Sequence, residues 1–271
     1  TLMNQIYEFD GERFLKSDSA KTELNTRMLA LFEETLQRDG SFGYPFDSLK
    51  WIGRLKSEDG LLRIYTWNLQ FTDHSFNYYG FIHYYLENKN NYLLWPLTDR
   101  SDAITDAENL TLDNDNWFGA LYYNIIARKD GNKTLYTLLG WDGNSDLISK
   151  KLVDVLTFTR QGKPVFGAPV FITGNKKQKR VFFRYSSKVS MLLRYDPDED
   201  KIVFDHLAPV RTELNGQYQF YGPDMTHDAF GFSDGNWNFI SDIKLTNPKN
   251  KHKAGNLFNP GSDEFYNPEN R

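Results

Sequence analysis

The chain has 271 residues, enough for one large domain with a sizeable core. Its formal charge is −4, from 32 Lys and Arg against 36 Asp and Glu, with a pI of about 5.8, so no global field draws it to a polyanion and nucleic acid is not an expected partner. The absence of cysteine excludes disulfides, thiolate chemistry and Cys-based zinc sites. Hydrophobic residues make up only 39%, but 16% of the chain is aromatic, which points to a folded, aromatic-cored domain.

In chain order, residues 17–39 come first: Leu24, Met28, Leu31, Phe32 and Leu36 recur at helical spacing, with Asp18 or Ser19 as cap and Gly40 as stop. An amphipathic helix covering a sheet is expected. From Trp51 onward, aromatic and β-branched runs are joined by tight acidic turns: Asp59-Gly60, Asp130-Gly131, Asp196 to Asp200 and Asp234-Gly235. Asp-Gly between apolar runs suits a type I′ hairpin, which needs positive φ at both central positions. Residues 77–86 are apolar or aromatic on both alternating faces, as in a strand covered on both sides, and Tyr92 to Leu97 returns beside it. The polar stretch Thr98 to Asn116 reads as a long loop, Ser145 to Lys151 as a short helical turn, and Val153 to Thr159 as a strand. Lys176 to Arg180, between two apolar runs, reads as a Lys-rich solvated hairpin loop.

The expected fold is therefore mainly β: an antiparallel, hairpin-rich sheet, open, sandwich-like or partly closed into a barrel, with an N-terminal amphipathic helix. An α+β fold is the alternative. The expected organisation is a single domain over 1–271, with the 17–39 helix on a β-rich body at 50–245 and an extended polar tail at 246–271. No apolar stretch reaches the ~18 residues of a membrane span.

Chemistry is harder to read. No nucleophile elbow, Walker loop, dinucleotide fingerprint or His-Glu-x-x-His helix is present. The densest cluster is Tyr221 to Asp228, where Asp224, His227 and Asp228 gather in a Gly-Pro bend; an Asp beside a His can orient a general base, though both types also satisfy turn backbone. Asp142, Asn144 and Asp146 alternate as in a calcium loop, but Leu147 stands where Gly is needed and Val153 where a bidentate Glu belongs, so an EF-type site is not expected, and a divalent-ion-dependent fold through Asp142 to Asp146 is a third, weaker reading. Asp73-His74 and Asp205-His206 are neighbours on strands, whose side chains point to opposite faces, so neither pair alone makes a dyad. His83, among aromatics, reads as a satisfied core histidine. Turn-proximal aromatics such as Trp117, Trp141, Tyr221 and Trp237 either cap the core or offer a stacking surface, which makes Trp141, Asp142, Asn144 and Tyr221 the candidate ligand-binding set.

Gly140-Trp141-Asp142-Gly143-Asn144, Asp154-Val155-Leu156, Gly162 to Gly167, Tyr195-Asp196, Phe204-Asp205-His206-Leu207 and Tyr221-Gly222-Pro223-Asp224 together resemble a family of exported proteins of Bacteroidota to which no activity is attached. The resemblance spans roughly residues 60–245 and implies a periplasmic or otherwise exported protein. The cysteine-free composition fits this, as does a start at Thr1 after removal of a leader. The resulting expectation is a non-catalytic binding or scaffold protein without cofactor, directed at a glycan or cell-envelope component. A hydrolase using Asp224, His227 or Asp228 with Asp142 is the alternative.

Overall fold

The computed structural model describes residues 2–8, 16–131 and 133–244. The protein is mainly β, with 48% strand against 18% helix, and forms an open sandwich of antiparallel sheets with a short N-terminal helical part. The first sheet runs β1 (Gly53–Lys56), β2 (Leu62–Gln70), β3 (Phe76–Leu86) and β4 (Asn91–Thr98) in spatial order. The second contains β5 (Leu112–Asp113), β6 (Leu121–Asp130), β7 (Lys133–Asp142), β8 (Ile148–Phe158) and β9 (Pro164–Phe166), ordered β5-β9-β8-β7-β6. Next come β10 (Phe171–Thr173), β11 (Lys176–Gln178), β12 (Val181–Ser186), β13 (Leu193–Asp196), β14 (Lys201–Pro209), β15 (Tyr221–Ser233) and β16 (Asn236–Ile240). Of these, β12 joins β8 in the second sheet, and the rest form the third, ordered β11-β10-β16-β15-β14-β13. All four acidic turns close hairpins: β1–β2, β6–β7, β13–β14 and β15–β16.

Two helices, α1 (Leu2–Ile6) and α2 (Asp18–Leu36), cover the outer face of the first sheet. The alternation of each strand divides its residues between cores. In β2, Tyr65, Trp67 and Leu69 meet Met28, Phe32 and Leu36 of α2, while Leu62 and Ile64 face the second sheet. In β7, Tyr136 and Leu138 face the first sheet, and Leu135 and Leu139 face Ile202, Phe230 and Trp237 of the third. The molecule thus stacks as four layers, helix on sheet on sheet on sheet, with three apolar seams. Burying each large apolar side chain contributes roughly 1.5–3 kcal/mol, so the aromatic content carries much of the stability. The first sheet packs so tightly that a Cβ on Gly80 would lie 2.5 Å from the Tyr65 carbonyl oxygen.

Several expectations need correction. Ser17, not Asp18 or Ser19, caps α2, its Oγ accepting from the Ala20 N–H at 3.3 Å; Asp18 instead accepts from the Thr72 N–H and hydroxyl. Leu31 is 55% exposed, and the buried face of α2 carries Lys21 and Asn25. Each of these reaches strand β2: Lys21 Nζ donates to the Gln70 carbonyl at 2.7 Å, and Asn25 Oδ1 accepts from Trp67 Nε1 at 2.7 Å. Ser145 to Lys151 contains no helix; the backbone turns at 143–147 and β8 starts at Ile148, since Ser145 and Asn144 bond the Ile148 backbone rather than a helix N-terminus. Lys176 to Arg180 is not a solvated loop. Lys176 to Gln178 form edge strand β11, where lysines guard against further pairing. Arg180 is 0% exposed, with Nε on Asp154 Oδ2 at 2.6 Å and Nη1 on the Ala107 carbonyl. Thr98 to Asn116 is largely loop, with the two-residue β5 and short 3-10 turns inside it. The tail at 246–271, with His252, lies outside the described residues.

Candidate functional site

The Tyr221 to Asp228 segment is not a free bend: β15 runs through it, paired with β14. The register breaks between Asp205 and Leu207, where Asp224, Met225 and Thr226 of β15 stand against the single His206 of β14 and Met225 takes a left-handed φ of 73°. Since β14 reads Asp-His and β15 reads His-Asp in antiparallel pairing, each acid meets the other strand's imidazole. Asp205 lies directly across from His227, with Oδ1 to Nε2 at 3.2 Å, and Asp228 Oδ2 contacts His206 Nδ1 at 2.8 Å. Neither dipeptide forms a dyad alone; crossed between strands, they form two pairs.

The remaining carboxylate oxygens are occupied by backbone. Asp205 Oδ2 accepts from the Leu192 N–H at 2.7 Å, and Asp228 Oδ1 from the Asp242 N–H at 3.0 Å. Asp224 turns back on its own loop, accepting from the Thr226 N–H and hydroxyl, and these bonds hold its carboxyl below the usual range. The bond to Asp228 raises the pKa of His206, whose side chain is 50% exposed. The cluster is a clasp tying β13, β14, β15 and the chain after β16 together.

The structure does not bring the Asp142 group to this clasp. Asp142, at the end of β7, is 4% exposed: Oδ1 accepts from the Tyr78 hydroxyl at 3.0 Å and the Asn144 N–H at 2.8 Å, and Oδ2 lies 3.3 Å from Lys150 Nζ. Burial pushes its carboxyl pKa up, against the opposing pull of Lys150. Tyr78 also accepts from the Gly143 N–H at 2.8 Å, so the network fixes the turn between β7 and β8. Trp141 is buried against Phe76 and offers no ring face to solvent; Trp117 and Trp237 are fully buried. Tyr221 is half-buried, its hydroxyl bonded to Asn215 and Gly216. Among the described residues, no group of three or more His, Asp or Glu is placed to hold a metal ion, and no helix is long and apolar enough to cross a membrane.

A different place has the properties of a ligand site. After α2 the chain turns through Gly40, with φ of 80°, into a short 3-10 turn at Ser41–Gly43, and packs over the β3–β4 edge of the first sheet. Between turn and strands lies a cleft of about 470 Å³, lined by Leu36 to Gly43, His83 and Asn91 to Leu94, within the size range of small-molecule sites. Phe42 is buried in its lining. The Phe42 ring lies 4.9 Å from both His83, edge-on, and Tyr92, and Tyr92 is 52% exposed.

His83 is 3% exposed, and its Nδ1 is buried without a hydrogen-bond partner. Burial first, and the nearby Arg63 charge second, push its pKa down to about 4, so the ring is neutral at ordinary pH. Arg63 stands directly opposite His83 in the β2–β3 ladder, so the two side chains share the helix-side face. Sequence reasoning set His83 aside as a satisfied core residue and did not single out Arg63, Phe42 or Tyr92. The signal available was a histidine and an arginine amid aromatic strands; what joins them is a register that spacing alone does not supply.

No protein-family model, no curated protein and no solved structure matches the chain.

Proposed function

We propose that the protein is a non-catalytic binding protein acting outside the cytoplasm, and that it holds a glycan of its surroundings, such as a cell-envelope saccharide, in the cleft between α2 and the β3–β4 edge. The observation that carries this reading is the unpartnered His83 nitrogen at a cleft whose mouth exposes the Tyr92 ring. Sugars combine apolar C–H faces, which pack on aromatic rings, with hydroxyls that both donate and accept; a neutral imidazole supplies one donor and one acceptor. Nearly all polar partners of the β14–β15 clasp, by contrast, lie within the fold. The extracytoplasmic setting rests on the cysteine-free composition and on the resemblance to exported proteins of Bacteroidota.

Titration calorimetry with a panel of methyl glycosides, paired with a glycan array, tests the reading. Saturable saccharide binding that is lost in Tyr92→Ala is expected; a folded protein that binds no saccharide contradicts it. The hydrolase reading has the half-exposed His206 beside Asp228 as its support. It requires that His206→Ala or His227→Ala abolish a glycosidase or esterase activity while leaving the fold intact.

A further inference from the structure

The cleft has one electrostatic anomaly, and it concerns the kind of saccharide. Arg63 is 6% exposed and forms no ion pair with a carboxylate among the described residues. Its Nη1 donates to the Phe42 carbonyl at 2.8 Å and to the Tyr44 carbonyl, its guanidinium lies 5.2 Å from the Tyr65 ring centroid and 5.8 Å from that of Phe46, and its Nε is buried without an acceptor. Buried cations are ordinarily matched by a carboxylate, because taking the charge out of water is costly. Here dipoles and ring faces stand in for the anion, and the group on the same face toward the cleft is the unpartnered imidazole of His83.

The other walls carry one ion pair and one rim carboxylate: Arg38 is held by Glu34 at 2.6 Å, and Asp39 is exposed to solvent at the turn. Three carbonyls at the end of α2 and in its turn are already bonded: Leu36 by the Ser41 hydroxyl, Arg38 by the Ser41 N–H, and Gly40 by the Gly43 N–H. Those bonds weaken the negative pull of the helix C-terminus. On the sheet side of the cleft, the Arg63 charge has no carboxylate partner among the described residues and the buried Nδ1 of His83 has no hydrogen-bond partner, while the Asp39 carboxylate sits at the solvent-exposed rim.

We propose that the cleft selects a saccharide bearing a carboxylate, such as a uronic acid, with its ring against Tyr92 and its carboxylate at His83 in the field of Arg63. The inference rests on the glycan-binding reading above and names the class of sugar. A carboxylate at His83 favours the imidazolium, so binding takes up a proton. Because the free ring has a pKa pushed down to about 4, affinity rises as pH falls from 7 toward 5, where a uronate is still ionised. The titratable and charged groups around the ring are Arg63 on β2, Tyr85 on β3, Tyr92 on β4, and Arg38 and Asp39 on the turn.

Calorimetry with methyl β-glucuronide and methyl β-glucoside, at pH 5 and pH 7, tests this on the full chain. The glucuronide is expected to bind about tenfold or more tightly than the glucoside, as a charge-assisted contact implies, and more tightly at pH 5. His83→Leu, which removes only an unpartnered polar group, should keep the fold by circular dichroism and abolish both the preference and the pH dependence. Equal binding of the two sugars, or tighter binding of the glucoside, overturns the carboxylate inference and leaves the glycan reading standing. Failure of both sugars and of the wider glycoside panel overturns both. Retention of the preference in folded His83→Leu overturns the assigned position.

Discussion

The β14–β15 clasp and the α2–β4 cleft hold similar residue types and treat them oppositely. In the clasp, both oxygens of Asp205 and of Asp228 have partners, drawn from imidazoles and from the backbone of neighbouring segments. In the cleft, His83 has a buried Nδ1 without a partner close to the exposed Tyr92 ring, and Arg63, across the ladder from it, has a buried Nε without an acceptor. An acid next to a histidine looks like chemistry in a sequence, yet here the paired groups close the sheet. The histidine with no carboxylate beside it is the one whose buried Nδ1 has no partner.

Four changes to the protein separate satisfied from unsatisfied groups. The extreme of the satisfied kind is the buried pair of Arg180 and Asp154. Arg180→Ala would leave Asp154 uncompensated and should cost about 3–5 kcal/mol in denaturant unfolding. A loss below about 1 kcal/mol would mean that the pair is not closed to water. Next, Asp228→Ala strips the Asp242 N–H and His206 of their partner and should cost about 1–3 kcal/mol, with saccharide affinity unchanged. If affinity falls instead, the clasp is part of the site. Tyr92→Ala should weaken saccharide binding by about 1.4 kcal/mol or more, tenfold in affinity, and lower stability by about 1 kcal/mol through its lost contacts with Phe42 and Tyr85.

The smallest effect is a pH slope. Because folding raises the pKa of His206, its bond to Asp228 contributes stability that is fully present below the unfolded value of about 6.5 and is lost as pH rises through the folded value. Unfolding of the wild type should therefore show a shallow decline in stability across the upper end of that range, and His206→Gln should flatten it. An unchanged slope would place the clasp outside the titrating groups.

Much of the architecture was legible because it depends on local chemistry. The Asp-Gly turns, the helical spacing of Met28, Phe32 and Leu36, and the doubly apolar run at 77–86 need no distant partner to be read. The misreadings share one cause: a partner far along the chain. Arg180 looked like part of a solvated lysine run, but Asp154, 26 residues earlier, draws it into the core. Asn144 and Ser145 looked like helix caps, because the same side chains that cap a helix can close a strand turn on the Ile148 backbone. The crossed pairing of Asp205 with His227 and Asp228 with His206 requires the β14–β15 register and its bulge. The cleft depends on more still, since Phe42, Arg63, His83 and Tyr92 come from the turn after α2 and from three strands, and spacing alone does not state that Arg63 and His83 stand opposite one another.

The most direct test is a histidine-selective NMR titration of the intact protein with methyl β-glucuronide, following the five imidazoles. The His83 resonances are expected to move with added ligand while those of His206 and His227 stay in place. Movement of His206 or His227 with His83 unchanged would contradict this expectation, and would return the binding site to the clasp.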